Sequence, residues 1–396
     1  MVRCGACDSA SFGGFFSAYE ASVSGAYPAE PVVPQQHTKI ELEYCQTCGL
    51  IRQVPGRIIQ LNYDRIVRGT AKQLPDYTED ILSTLTEFGV QSTDLVLEIG
   101  ANEGTFLRQL RGRGYQNLFG IEPSKQLAEF SRQSGLDILD TYFDRRLAAE
   151  IRASRGPVRA VICRHTLEHV PDIFEFTRAI ADVLADDGVS LIEVPDADWV
   201  VTNLFAHEIW DEHITYFRAQ SLRRLLENCG LEPISLQRMR FRDTRNLLCW
   251  SRPAGSGVVS QPDGLIDDEA SLDTVAKFQS RWDDFSARLR ERVLESPKPI
   301  VGIGASHIQL NFINFAGLGD LVDVLIDDDE TKAGRFAPLS RAVPIRSTSE
   351  MVETMREGTL LRIAFPYPAW EDRIEGAVRP YGVVSLRPYD ILRSVQ

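Results

Sequence analysis

The sequence predicts an α/β protein: a doubly wound parallel sheet preceded by a small metal-binding segment and followed by a second α/β unit. Three observations carry this. Short apolar runs alternate with helical patterns through the middle of the chain, two Cys-x2-Cys pairs stand near the N-terminus, and the alternation restarts after a break rich in Gly, Ser and Pro. At 396 residues, 43% hydrophobic and 25% charged, the chain can bury two or three cores, because single cores stop growing near ~250–300 residues.

The metal segment comes first. Cys4-Gly-Ala-Cys7 and Cys45-Gln-Thr-Cys48 each set two thiolates on one side of a metal. Four soft ligands favour Zn2+ and leave no open coordination position, so the site reads as structural. The interval between the pairs exceeds the ribbon spacing of ~15–20 residues, and about Phe12 to Pro34 is expected to loop out. Cys163, Cys229 and Cys249 sit in apolar or mixed runs and read as core.

After the second pair, IRQVPGRIIQLNY reads as a short strand and a turn. From Leu74 to Gly89, apolar residues at 81, 82, 85 and 88 have helical spacing, with Gly89 as the stop. Alternation then runs from DLVLEIG to VSLIEVPD, with LDILDTYF as a strand and FEFTRAIADVLADDG as a helix. Such alternation builds a parallel sheet covered on both faces. SLRRLLENCGLEP reads as a helix and turn, followed by antiparallel strands ISLQRMRFR and NLLCWSR.

Pro253 to Gly264 is the best linker in the chain. Beyond it, Val275, Phe278, Trp282, Phe285 and Leu289 mark one helix from about Asp268 to Glu295. The second alternating unit runs through PIVGIGASHIQLNF, LVDVLIDDDE and LLRIAFPYP. The expected domains are 1–72, 73–253 and 265–396.

A formal charge of −13 and a pI near 5.1 repel nucleic-acid phosphate and anionic lipid, and no basic patch overrides them. The N-terminus lacks the basic start and apolar run of a signal peptide, and no stretch reaches the ~18 apolar residues of a membrane span. A cytoplasmic protein with a small-molecule substrate is expected.

The segment Leu97-Glu-Ile-Gly-Ala-Asn-Glu-Gly104 joins a buried strand to a helix expected to start near Glu103. Gly100 permits a tight turn, Gly104 lets the helix begin close to a ligand, and Glu98 supplies a carboxylate. A dinucleotide fingerprint would need glycines where Asn102 and Thr105 stand, so no pyrophosphate cradle is present. Glu122 ends the next strand, where one carboxylate can accept both hydroxyls of a ribose. Carboxylates around such a pocket suit a cationic sulfonium.

This pattern resembles class I S-adenosylmethionine (SAM) methyltransferases. The resemblance implies SAM as cofactor, with motif I at Glu98, Gly100, Asn102 and Gly104 and the ribose acid at Glu122. Tyr142 and Phe143 stand where that class often places the adenine, and could equally be core aromatics. His165 and His169 follow the fourth strand; one of them caps the pocket, with His165 the candidate.

The order of a Cys4 segment, a SAM domain and a C-terminal Rossmann-like domain further resembles the sugar C-methyltransferases that act on nucleotide-linked keto sugars in antibiotic pathways. The likeness covers almost the whole chain and includes Glu212-His-Ile-Thr-Tyr-Phe217, Val301 to Ser306 and Ile326 to Phe336. It implies that Glu212 and His213 are active-site residues. At the family's tyrosine stands Trp210, and at its first histidine Asp211. Trp210 is therefore a candidate catalytic position where an indole, with one N–H and no acidity near neutral pH, replaces a phenol. Before motif I, only Tyr63 and Tyr77 loosely match the family's tyrosine- and serine-rich stretch.

The chemistry can be argued from the residues alone. Methylating carbon requires a base that removes a proton beside a carbonyl while the enolate is stabilised. His213 is the candidate base, with Glu212 or Asp211 to orient its ring; the bland alternative is that Glu212 and His213 cap the helix starting at Ala219. Tyr216 and Phe217 read first as core, with Tyr216 also a candidate substrate contact. In the last domain Gly302-Ile-Gly304-Ala-Ser306-His307 resembles a dinucleotide turn, and alone would suggest NAD with Asp327 on its ribose. By resemblance the same domain helps to hold the substrate, making Ser306, His307, Lys332 and Arg335 candidate contacts. An O- or N-methyltransferase of another metabolite and a non-catalytic SAM or nucleotide binder are the competing functions.

Overall fold

The computed structural model describes residues 3–20, 27–31, 38–55, 76–241, 244–256, 264–347, 350, 359–361 and 384–393. Tyr63, the turn expected after the second cysteine pair and the middle of the 253–264 linker lie outside the described residues. The chain divides into two compact units, one of 1–13, 43–199 and 212–272, the other of 14–42, 200–211 and 273–396.

The first unit is built on a seven-stranded sheet. Its parallel strands are β4 (Val96–Ile99), β5 (Leu118–Ile121), β6 (Ile138–Leu139), β7 (Val158–Arg164) and β8 (Leu184–Pro195), and β10 (Leu231–Phe241) and β11 (Thr244–Pro253) close one side antiparallel. The order is β10-β11-β8-β7-β4-β5-β6, so the chain reverses direction of travel across the sheet between β4 and β7. Ligands of open α/β sheets bind at such a reversal, outside the carboxyl ends of the strands.

Residue parity explains why the sheet is covered twice. Leu97, Ile99, Val161, Cys163, Ile192 and Val194 share one core with α4 (Arg145–Arg155), α5 (Ile173–Val183) and α7 (Ala219–Asn228). Val96, Ala160, Ile162 and Leu191 share the other with α1 (Thr78–Glu87), α2 (Thr105–Gly112) and α3 (Lys125–Gln133). Successive strand residues point to opposite faces, so strands apolar at every position need helices on both sides. Cys4, Cys45, Cys48 and Leu50 belong to the same core as α5 and α7. A Cβ on Gly5 would come within 2.8 Å of Ile173, and Asn228 Nδ2 donates to Ala6 O at 2.7 Å.

A smaller sheet has the order β1 (Phe12–Glu20), β2 (Thr38–Cys45), β3 (Ile51–Gln53) and β9 (Thr215–Tyr216), with Ile51 opposite Tyr216. The segment expected to loop out between the cysteine pairs therefore contains a strand. Phe15 and Phe16 are buried there, against Phe278.

The second unit carries a sheet ordered β14-β15-β13-β12-β16-β17: β12 (Ile300–Ile303), β13 (Val324–Asp327), β14 (Phe336–Pro338), β15 (Ala342–Ser347), β16 (Thr359–Leu361) and β17 (Val384–Leu386). All neighbours are parallel except β14 with β15. Its helices include α10 (His307–Phe315) and the final α11 (Pro388–Arg393).

Four local expectations change. The helix expected over 268–295 is two, α8 (Leu272–Ala276) and α9 (Phe278–Leu294), with Lys277 non-helical between them; Val275, Phe278, Trp282, Phe285 and Leu289 are all buried. The Ala-Asp-Asp-Gly stretch expected to end a helix belongs to β8, where the register shifts and Gly188 packs against the carbonyls of Ala185 and Val158. Of the strand expected over 136–143 only Ile138–Leu139 pairs, which leaves Tyr142 and Phe143 beyond it. α2 starts at Thr105, capped by Gly104 in the left-handed region at φ 70°. Among the described residues no helix is long and apolar enough to cross a membrane.

Candidate active site

The turn after β4 places three residues with positive φ at alternate positions, Gly100 (77°), Asn102 (50°) and Gly104 (70°). Two of them can be nothing larger. A Cβ on Gly100 would come within 2.1 Å of Thr166 Oγ1, and one on Gly104 within 2.2 Å of Leu136 Cδ1. The turn is tied to β5 by Gly100 N and Ala101 N, which both donate to Ile121 O. Glu122 accepts from Asn102 N at 2.8 Å and from Ser124 N at 2.9 Å, and its burial pushes the carboxyl upward. Glu98 is buried behind the turn, and among the described residues its Oε2 has no hydrogen-bond partner; burial pushes it up to about 8.

A cavity of about 790 Å³ opens beside this turn, lined by Gly100, Ile121, Tyr142, Phe143, His169 and Ile214 among others. That volume suits a nucleoside-sized ligand. Tyr142 is 61% exposed and Phe143 is buried edge-on against Phe176. The histidine in the wall is His169.

His165 faces elsewhere. Its backbone is left-handed at φ 48°, Nε2 lies 3.2 Å from Glu193 Oε1, and Nδ1 lies 3.4 Å from Glu168 Oε1. Burial would lower its affinity for a proton, but the two carboxylates outweigh that and push it up to about 10. Glu193, fully buried, also accepts from Tyr77 Oη at 2.5 Å and Asn246 Nδ2 at 2.9 Å, and pairs with Arg164. Burial alone would raise Glu193; the His165 and Arg164 charges hold it below the carboxylate range instead.

His213 is half-buried in the first unit. Its ring lies edge-on to His169 with centroids 4.9 Å apart and to Tyr216 at 5.7 Å; Tyr216 is buried. Glu212 enters the cluster through its backbone, whose carbonyl accepts from His169 Nδ1. α7 begins after Arg218, whose N–H is held by Ser221 Oγ at 2.9 Å, so His213 does not cap that helix.

Trp210 falls in the second unit, tilted against His307 with centroids 5.1 Å apart. His307 Nε2 lies 3.2 Å from Asn311 Nδ2, and Ser306 caps α10 by accepting from Gln309 N. Lys332 pairs with Asp327 at 3.1 Å, and Asp327 also accepts from Ala305 N at 2.6 Å. Arg335 donates to Thr331 O and Tyr27 O.

A methyltransferase-domain family model matches residues 71–236, and a model of the C-methyltransferase C-terminal domain matches 267–366. The C-methyltransferase NovU of Streptomyces niveus is 26% identical over 325 residues, covering 78% of this chain and 77% of that protein. The chain is a SAM-dependent methyltransferase, and its C-terminal part matches the C-methyltransferase C-terminal domain. Among solved structures, the CcbJ methyltransferase of Streptomyces caelestis is 14% identical, over 49% of this chain and 95% of that one, with a TM-score of 0.37. Magnesium protoporphyrin IX methyltransferase of Synechocystis PCC 6803 with bound SAM is 15% identical, over 44% and 77%, with a TM-score of 0.34.

The methyltransferase brings its four N-terminal cysteines together. Cys4 Sγ lies 3.6 Å from Cys48 Sγ and Cys7 Sγ 3.6 Å from Cys45 Sγ, and all four sulfurs lie within 4.8 Å of one another. A tetrahedral Zn–S4 site with bonds of about 2.3 Å sets its sulfurs ~3.8 Å apart, so the donor set fits that ion. The contact with Cys45 pushes Cys4 up to about 12, while its sulfur neighbours hold Cys45 far below the usual thiol range. The sulfurs therefore resist carrying several charges without a cation among them.

Glu193, Asn246 and Glu168 were not singled out from the sequence. A signal existed for Glu193: it is the charged residue within the apolar strand Val189 to Val194. Asn246 and Glu168 had none, since each gains its meaning from a neighbour distant in the chain.

Proposed function

We propose that this methyltransferase adds a methyl group to carbon beside the ketone of a nucleotide-linked keto sugar, with His213 as the base. SAM supplies an electrophilic methyl on a sulfonium. Gly100, Asn102 and Gly104 would shape its seat, Glu122 would take the ribose hydroxyls, Tyr142 and Phe143 would border the adenine, and Glu98 would stand buried behind the turn. His213 accepts the acceptor's α-proton, and the enolate carbon forms the new C–C bond as the S–CH3 bond breaks. The proton on His213 then passes to water. Zinc held by Cys4, Cys7, Cys45 and Cys48 has a structural role.

One observation carries this reading: His213 packs against His169, and His169 lines the same cavity as Gly100. The C-methyltransferase domain match and the likeness to NovU support carbon as the methylated atom. The test is deuterium exchange at the α-carbon of nucleoside-diphosphate-linked keto hexoses in D2O without SAM. His213-dependent exchange supports the proposal. Methyl transfer to oxygen or nitrogen with no exchange on any of these sugars overturns it.

A further inference from the structure

The cluster around His213 contains a carboxylate that this mechanism leaves without a task. Glu168 sits in the 3-10 turn Leu167–His169 with 1% exposure, and among the described residues neither carboxylate oxygen has a hydrogen-bond partner. The charged group beside it is His165, whose Nδ1 is 3.4 Å from Oε1 and whose other nitrogen is taken by Glu193. A carboxylate oxygen of Glu168 and ring nitrogens of His169 and His213 also all lie within 4.8 Å of one another.

Backbone ties hold this arrangement. Ile214 N donates to Glu168 O at 2.8 Å, His169 Nδ1 to Glu212 O at 2.7 Å, and Gln53 Nε2 to His213 O at 3.2 Å. The 3-10 turn and the chain around His213 are thus stitched together on both sides of the two rings. A buried carboxylate with no hydrogen bonds is costly unless positive charge faces it. An opposite charge within ~4–6 Å favours the charged form of its neighbour by ~1–3 pK units. An imidazole that has just taken a proton is such a charge.

We infer that Glu168 is a positioning residue for the base: it stabilises the imidazolium formed when His213 takes the acceptor's proton, and so makes His213 a stronger base. This rests on the reading of His213 given above. Among the described residues, the titratable groups placed beside His213 are Glu168 and His169 from the 3-10 turn, Tyr216 from β9 and the adjacent Glu212, with His165 beyond Glu168. Of these only Glu168 and Glu212 add negative charge, and Glu168 is the buried one.

The test titrates the six histidines of the full chain by NMR, with the imidazoles carbon-labelled and His213 assigned by its substitution. The proteins are wild type, Glu168→Gln and Glu168→Asp. The His213 midpoint is expected to fall by about one pH unit or more in Glu168→Gln and to recover most of that in Glu168→Asp. The acid limb of the exchange rate on the keto hexoses should move down with it, and the plateau should drop about tenfold. An unchanged midpoint in a folded Glu168→Gln protein overturns the inference. So does a wild-type His213 that fails to titrate until EDTA is added, for the three groups then hold a cation. Exchange absent from wild type, with the midpoint shifted as expected, instead removes the base role and leaves the Glu168 coupling standing.

Discussion

The Nδ1 hydrogen of His169 is donated to the carbonyl oxygen of Glu212 at 2.7 Å. A carbonyl can only accept, so Nδ1 of His169 carries a hydrogen and the ring orientation is fixed by that bond. It also anchors the residue immediately before His213, so the proposed base is held by its neighbours rather than by its own side chain alone.

Replacing His213 by Ala should leave SAM affinity nearly unchanged, because the turn after β4 and Glu122 are elsewhere. Turnover should fall at least ~100-fold. Calorimetry and steady-state rates on one preparation check both, and a loss below about threefold would reduce His213 to a packing role.

Gly100→Ala forces a side chain into left-handed backbone and against Thr166 Oγ1. The backbone alone costs about 1–2 kcal/mol, and SAM binding should weaken with the melting temperature. Adding Thr166→Ala relieves the clash but not the φ, so the double variant should recover part of the stability, as thermal melts would show.

Glu122→Gln removes the charge and one of the two acceptors that hold Asn102 N and Ser124 N. SAM affinity should drop at least ~10-fold by calorimetry, with demethylated SAM affected equally, since both carry the ribose.

Cys45→Ser should lower stability and abolish stoichiometric zinc, because metal binding to such a cluster is coupled to folding. Metal analysis and melting curves check this. A soluble, fully active protein without zinc would refute the assignment.

Glu98 makes a prediction about pH. Its folded value, about 8, lies above its ordinary 4.5, so between these values the folded state binds the extra proton and stability falls as pH rises. Glu98→Gln imitates the protonated acid. Without SAM, it should melt with wild type at pH 4.5 and above it at pH 8.5, by the equivalent of a few kcal/mol. Equal melting at both values would show that the buried carboxyl is relieved by another route.

The sheet and the turn after β4 were legible because local rules decide them. Apolar runs of four residues need cover on both faces, and Gly100 and Gly104 stand where a Cβ would come within about 2.2 Å of a neighbour. The cysteine pairs were legible for the same reason, since spacing alone brings two thiolates to one side. The division into units was not, since the chain crosses between them near Gly14, Leu42, Trp199, Asp211 and Leu272, and no composition change marks the first four. Nor could periodicity distinguish His165 from His169. Both follow β7, and what separates them is a left-handed φ and two carboxylates, Glu168 and Glu193, of which the second arrives from another strand.

The N-terminus of α5 meets both the first cysteine pair and the cavity. Ile173 packs on Gly5 of the first cysteine pair, and Asp172 and Glu175 line the cavity. Thiol damage at the start of the chain is therefore expected to reach the cavity wall through one helix end. A batch purified with strong chelators or left to oxidise should look like an enzyme that has lost its chemistry, when what it has lost is the footing of a wall.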